Sequence, residues 1–125
     1  SNAHDVAKIY QMLLEHGQYG GKRYISAETC RFFLSRKSAI SRRGLGFDKP
    51  DKLNPAKGPC AEEAPAEVIG HTGFTGTCAW ADPKNRLVFV FLSNRIYPRV
   101  FDHKALMGLN IRPRIQQVMY QALRK

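Results

Sequence analysis

The chain has no apolar run close to the roughly 20 residues that cross a bilayer as a helix, so no membrane span is expected. Cysteine is scarce: Cys30, Cys60 and Cys78 show no C-x-x-C spacing, and an odd number leaves at least one unpaired within the chain. A zinc site needs closely spaced Cys and His pairs. His4, His16, His71 and His103 lie far apart, so no metal or other cofactor is expected. Acids are also few, 10 Asp and Glu against 20 Lys and Arg, for a formal net charge of +10. Such a balance can serve an anionic partner. Here the bases are scattered from Lys8 to Lys125 rather than gathered in one block, although beyond Asp82 the only acid is Asp102. The scatter favours a solvated face, or a contact surface for acidic segments outside the chain, and no nucleic-acid partner is expected. A basic module binding nucleic acid or an anionic wall polymer, and a structural domain without chemistry, stay open as alternatives. Internal repeats and low-complexity segments are missing too.

What is present is ordinary for a folded domain: 43% apolar and 24% charged residues. Ser1, Asn2 and Ala3 read as a scar of tag removal, which leaves 4–125 as one domain with a modest core. In 4–16, Val6, Ile9, Tyr10, Leu13 and Leu14 follow a helical period, with Gly17 as a stop and Gly20-Gly21 as a turn. Ser26 is placed to cap a second helix with Cys30, Phe33 and Leu34 on its buried side. Arg36-Lys37 and Arg42-Arg43 bracket a polar connection into Gly44-Leu45-Gly46-Phe47. Residues 48–66 carry Pro50, Pro55, Pro59 and Pro65, which predicts an irregular surface excursion.

After that loop the pattern becomes strand-like. Asp82-Pro83-Lys84-Asn85 reads as a turn between two antiparallel strands. The second, 86–92, is apolar on both faces, as at the centre of a covered sheet, and Trp80, Phe89 and Phe91 are expected in the core. A final helix follows Asn110 as cap with Pro113 in its first turn; Ile111, Ile115, Val118, Met119, Ala122 and Leu123 form its apolar stripe.

The most informative stretch is 70–77, Gly-His-Thr-Gly-Phe-Thr-Gly-Thr, with three glycines and three threonines in eight residues. Glycine weakens a strand interior, so a glycine-studded strand marks a bulge or a close approach by another backbone or a ligand. A backbone N–H facing an open cleft there could serve as an oxyanion donor. A glycine-rich bend with only a structural role accounts for the pattern equally well.

His71-Thr72-Gly73, the Asp82-Pro83 turn, the apolar strand, Leu92-Ser93-Asn94-Arg95 and Tyr97-Pro98 together resemble the closing third of β-lactamase-like serine hydrolases, where a K-T-G or H-x-G triplet lies on the strand lining the cleft. Asp5 to Leu14, Gly17 to Gly21, Arg23 to Ser26 and Gly44 to Phe47 resemble the helical segment and approach strand that precede that triplet. The likeness spans nearly the whole chain in the correct order. It implies an α/β fold in the broad α+β sense: an antiparallel sheet remnant with flanking helices and a C-terminal helix across one face.

The resemblance also implies chemistry. The family's nucleophile lies in S-x-x-K and its proton shuttle in a motif such as Y-x-N. No serine here has lysine three positions on, and no tyrosine has asparagine two positions on. The nucleophile is therefore expected in polypeptide preceding this chain. By position His71 takes the place of the penicillin-binding lysine and could hydrogen-bond the tyrosine or the substrate. Its imidazole moves the expectation from a true β-lactamase toward an esterase, a peptidase acting on D-amino acids or a transpeptidase-related hydrolase. Thr72 would present its hydroxyl to a small-molecule or peptide acyl substrate, Gly73 would let the acyl group lie against the strand, and Thr75 would line the substrate site. The Phe74 N–H matches the family's second oxyanion donor. Asn94-Arg95 is expected to end its strand and fix the following loop. The expected partner is the N-terminal part of the same domain, and a chain lacking it is expected to be inactive and to self-associate. A bacterial periplasm or cell envelope is implied for the parent. The tail, Asn110 to Gln117, resembles the ends of envelope proteins in which a glycoside hydrolase family 3 domain precedes such a domain.

Overall fold

The computed structural model describes residues 1–35, 38–99 and 104–124. Arg36-Lys37, Asp102, His103 and Lys125, which entered the charge and ligand reading above, lie outside the described residues. The chain is an α+β mix of four α-helices and two antiparallel sheets among the described residues.

Helix α1 spans Ala3–Leu14. Asn2 caps it, its side-chain oxygen accepting from the Asp5 N–H at 3.0 Å, so the residues set aside as a scar form part of the helix start. Leu13 is buried and Val6, Tyr10 and Leu14 are half-buried. Ile9, read as part of this stripe, is 57% exposed; it falls on the rim of the stripe, on the side away from Tyr10 and Leu14. A two-residue turn at Gly20-Gly21 joins β1 (Gln18–Tyr19) to β2 (Lys22–Arg23). Helix α2, Ala27–Leu34, is capped as expected, Ser26 Oγ accepting from the Thr29 N–H at 3.1 Å. It buries Cys30 but leaves Phe33 46% exposed, because the side of this two-turn helix that packs into the core is the Cys30–Leu34 ridge.

Gly44 to Phe47 forms no strand; the chain touches the sheet one residue later, where Asp48 and Gly70 exchange two backbone hydrogen bonds of 2.7 and 3.1 Å. The proline-rich loop is irregular, with one 3₁₀ turn at Pro55–Lys57; Lys52 to Asn54 lie on the surface as expected, but the loop is not a surface excursion throughout. Cys60, Ala61 and Ala64 enter the main core. The chain can run through the interior because its amides find acceptors: Ala61 N–H donates to Gln116 Oε1 at 2.9 Å and Glu63 N–H to Gln117 Oε1 at 3.3 Å.

The main sheet is β3 (Ile69–Thr72), β4 (Cys78–Asp82) and β5 (Leu87–Phe91), antiparallel and in that order. The five residues of β4 are all buried, so β4 is the centre. The 86–92 strand, expected at the centre, instead pairs with β4 alone among the described residues, and only Phe89 on it is buried. One face, through Ile69, Ala81 and Val88, packs with Leu13, Tyr10 and Cys30; the alanines of β4 let α1 lie close. The other face places Trp80, Cys78 and Phe89 against Val68, Cys60, Ala61, Ala64 and Tyr120, with Phe91 partly buried beside them. Gly70 is required there, since a Cβ would overlap the Ala79 carbonyl and the Trp80 ring.

Helix α3 (Ala105–Gly108) leads through Asn110, in the left-handed conformation at φ 51°, into α4 (Ile111–Leu123). Asn110 makes no side-chain cap; it supplies the conformation that asparagine tolerates. The expected apolar stripe of α4 is not its buried face. The helix buries Arg112, Pro113, Gln116 and Tyr120, while Ile115, Val118 and Leu123 are exposed. The reason is polar: the inner face meets loop amides and the Asp82 carboxylate, which need hydrogen-bond partners rather than methyl groups.

Candidate active-site wall

Strand β3 ends in a tight turn back to β4. Gly73 N–H donates to Thr77 O at 2.8 Å, and Gly76 N–H donates to Gly73 O at 3.0 Å. Gly76 has φ +97°, and a Cβ there would run into Leu106 and Ser93. The outward carbonyls of this turn are held from other elements. Arg95 Nε donates to Phe74 O at 2.8 Å, and the Arg95 N–H donates to Thr75 O at 2.9 Å. Ser93 Oγ lies 3.4 Å from the same Thr75 oxygen, and Arg112 donates to Thr77 O at 3.1 Å. Asn94-Arg95 was expected to fix the following loop; Arg95 instead reaches back 21 residues.

His71, Thr72, Gly73, Thr77, Cys78, Ala79 and Leu92, together with Val6 and Tyr10 of α1, line a shallow depression of about 270 Å³. His71 is exposed, and its Nδ1 lies 2.7 Å from Thr72 O. A carbonyl oxygen only accepts, so the contact requires the proton on Nδ1 and leaves the lone pair of the neutral ring on Nε2. Thr72 is half-buried, in register with Cys78. The Phe74 ring is 68% exposed and lies 5.0 Å from the Arg95 guanidinium, and none of the turn's hydrogen bonds uses the Phe74 N–H. Thr75 is half-buried, and its carbonyl is taken by Arg95. Burial pushes the Tyr10 phenol above its ordinary pKa, so it is a donor rather than a base at neutral pH.

The arrangement brings His71, Thr72 and Gly73 to one depression. Phe74 and Thr75 sit on the adjoining turn rather than in its lining. Such a wall can orient an imidazole and offer a backbone donor to developing negative charge. Among the described residues, no hydroxyl of this wall is hydrogen-bonded to the His71 ring as an activated nucleophile would be. Sequence reasoning missed Arg95 and Arg112 as anchors of the turn, since side chain to backbone contacts over such separations leave no motif. A larger depression of about 820 Å³ lies elsewhere, between Ala39–Arg42, Lys49–Leu53 and Ala66-Glu67. Its buried Lys49 has a pKa lowered by burial, but no residue of the 70–77 stretch reaches it.

Comparison with known proteins agrees with the fold. Residues 1–109 match the family described as Beta-lactamase. A protein of Escherichia coli O157:H7 named "Putative D-alanyl-D-alanine carboxypeptidase" is 35% identical over 104 residues, covering 82% of this chain and 23% of that protein. Its namesake in Escherichia coli K12 is 34% identical over 104 residues, with the same coverage. One in Salmonella agona SL483 is 32% identical over 106 residues, covering 83% of this chain and 24% of its own length. The chain belongs to the β-lactamase family. It spans under a quarter of the length of these curated relatives.

Proposed function

We propose that this chain forms one wall of the active site of a serine acyl hydrolase, the nucleophilic serine coming from other polypeptide of the same domain. The support is the clamped turn: its carbonyls are tied back, the Phe74 N–H makes no hydrogen bond among the described residues, and His71, on the strand leading into the turn, has its Nδ1 tied to Thr72 O. The serine oxygen would attack an acyl carbon and lose its proton to the base of its own motif. The Phe74 N–H would stabilise the oxyanion, a contribution whose loss in other hydrolases costs about 2.7–4 kcal/mol of barrier. The leaving group would depart with a proton, and water would release the acyl group. His71 Nε2 would accept a hydrogen bond from the shuttling hydroxyl or the substrate, Thr72 would bind the substrate's polar end, and Gly73 and Thr75 would border the acyl chain. The names of the relatives point to a peptide ending in D-alanine as substrate class, and to the bacterial cell envelope as location.

The partner surface follows from the same reading. The open edge of β5 and the exposed Ile115, Val118 and Leu123 of α4 would be covered by the rest of the domain. The chain alone should therefore self-associate, and light scattering showing a compact monomer at high concentration would count against this. For the chemistry, the chain alone should not turn over nitrocefin, p-nitrophenyl esters or a D-alanyl-D-alanine peptide. The longer protein containing it should hydrolyse at least one of them. A stable acyl adduct on Ser26 or Ser93 of the isolated chain would overturn the proposal.

A further inference from the structure

We propose that Lys49 and Arg31 form the cationic part of a binding site for a small apolar carboxylic acid, in the depression between α1, α2 and β3. The depression holds about 270 Å³, just under the range of about 300–1,000 Å³ usual for small-molecule pockets. Leu13 of α1 and Ile69 of β3 are buried, and Leu34 of α2 packs against them. With Pro83 they give the depression apolar walls. It shares no described lining residue with the His71 depression, so the inference does not rest on the hydrolase reading.

Lys49 carries the argument. It is 8% exposed, yet its ammonium makes no ion pair or hydrogen bond among the described residues. Burying a cation without a partner is costly, and burial holds the Lys49 pKa below that of an exposed lysine. The other ionisable residues lining the depression are Arg31, His16 and Glu67. Arg31 is exposed and forms no ion pair among the described residues either. Glu67 is exposed and acts on Lys49 from beyond ion-pair distance. A carboxylate entering the depression would satisfy both cations through charge-assisted hydrogen bonds, while its apolar tail lies against the leucines.

Lys49 also borders the larger depression of about 820 Å³, where the same chemistry is not offered. There Arg42 is paired with Asp48, and Lys52 donates to Ala64 O. Its large apolar residues, Ile40 and Leu53, are each 99% exposed and form no packed wall.

The test uses the longer protein that contains this chain, titrated with hexanoate by calorimetry. Hexanoate should bind and raise the thermal midpoint. Acetate and hexanol, which lack the tail and the charge respectively, should bind about tenfold or more weaker. Lys49→Met should weaken hexanoate about tenfold or more, with a ligand-free midpoint no lower than the wild type, because an unpaired buried charge is gone. Arg31→Ala should fold as the wild type and weaken hexanoate several-fold, and Glu67→Gln should bind it at least as well as the wild type. No binding by the wild type, or equal binding by Lys49→Met, would overturn the proposal. So would lowered midpoints in both Lys49→Met and Glu67→Gln, since Glu67 would then be the counter-ion of Lys49 in solution. If Lys49→Met does not fold, Arg31→Ala carries the comparison.

Discussion

The Tyr120 hydroxyl donates to Asp82 Oδ2 at 2.8 Å, joining the C-terminal helix to the turn of the β4–β5 hairpin. Asp82 is 1% exposed and also accepts from the Lys84 N–H at 2.8 Å, the Asn85 N–H at 3.1 Å and Asn85 Nδ2 at 2.7 Å. A buried carboxylate persists only when its lone pairs are taken up in this way. Burial, and then Asp82, raise the Tyr120 pKa above that of an ordinary phenol, so the hydroxyl remains a donor. Tyr120→Phe should cost about 1–3 kcal/mol, the range for leaving a buried acceptor short of a partner. A urea midpoint within error of the wild type would show that the bond contributes nothing.

Gln116 offers a sharper test, because hydrophobicity alone points the wrong way. Its side chain is 1% exposed and accepts from the Ala61 N–H at 2.9 Å. Gln116→Leu adds apolar surface to the core yet strands a buried amide, and should destabilise by about 1–3 kcal/mol. Val118→Gln on the exposed side of the same helix should stay within about 0.5 kcal/mol in the isolated chain. Equal effects in chemical denaturation would mean that α4 packs by its apolar stripe after all.

These two residues mark where the sequence was legible and where it was not. The helix over α1, the Ser26 cap, the Asp82–Asn85 turn and the antiparallel hairpin rest on local spacing and turn chemistry, and these were readable from the residues. The buried face of α4 was not. Its six apolar positions make a regular stripe, but the inward side is chosen by the needs of a loop some 55 residues away. The proline run misled in part for the same reason, since burial of Cys60, Ala61 and Ala64 depends on acceptors supplied by that helix. At the candidate site, His71 and Thr72 were singled out by motif, and both line the depression. Arg95 was seen but assigned to the wrong loop, because a side chain that binds backbone carbonyls needs no particular partner residue.

The three thiols give a prediction about pH. Cys30, Cys60 and Cys78 are free and buried. Burial pushes Cys60 up to about 12 and Cys78 up to about 11, and raises Cys30 as well. The folded state then holds these protons more tightly than the unfolded chain, whose thiols ionise near about 8.5. Their contribution to stability is therefore fully present below that pH and is lost progressively as pH rises toward the folded values. A thiol reagent should label none of the three in the native chain at neutral pH and all of them in urea. The urea midpoint should fall between pH 8 and pH 10 (roughly the span in which unfolded thiols ionise) and fall less in a Cys60→Ala, Cys78→Ala variant. Rapid native labelling of Cys60 or Cys78 would mean that the main core is open.

His71 can be tested without any activity assay. Its Nδ1 contact with Thr72 O at 2.7 Å requires the proton on Nδ1. The neutral ring in the isolated chain should therefore show the less common tautomer by nitrogen NMR, with the lone pair on Nε2. His71→Ala should leave stability within about 0.5 kcal/mol, because the side chain is exposed and the strand ladder is unaffected. In the longer protein the same change should lower kcat/KM by about 10²–10⁴ if the imidazole takes part in proton transfer. A smaller loss, of a few fold and confined to KM, would place His71 in substrate binding instead. A neutral ring protonated on Nε2 would remove the tether and with it the reason for the imidazole to present that nitrogen to the depression.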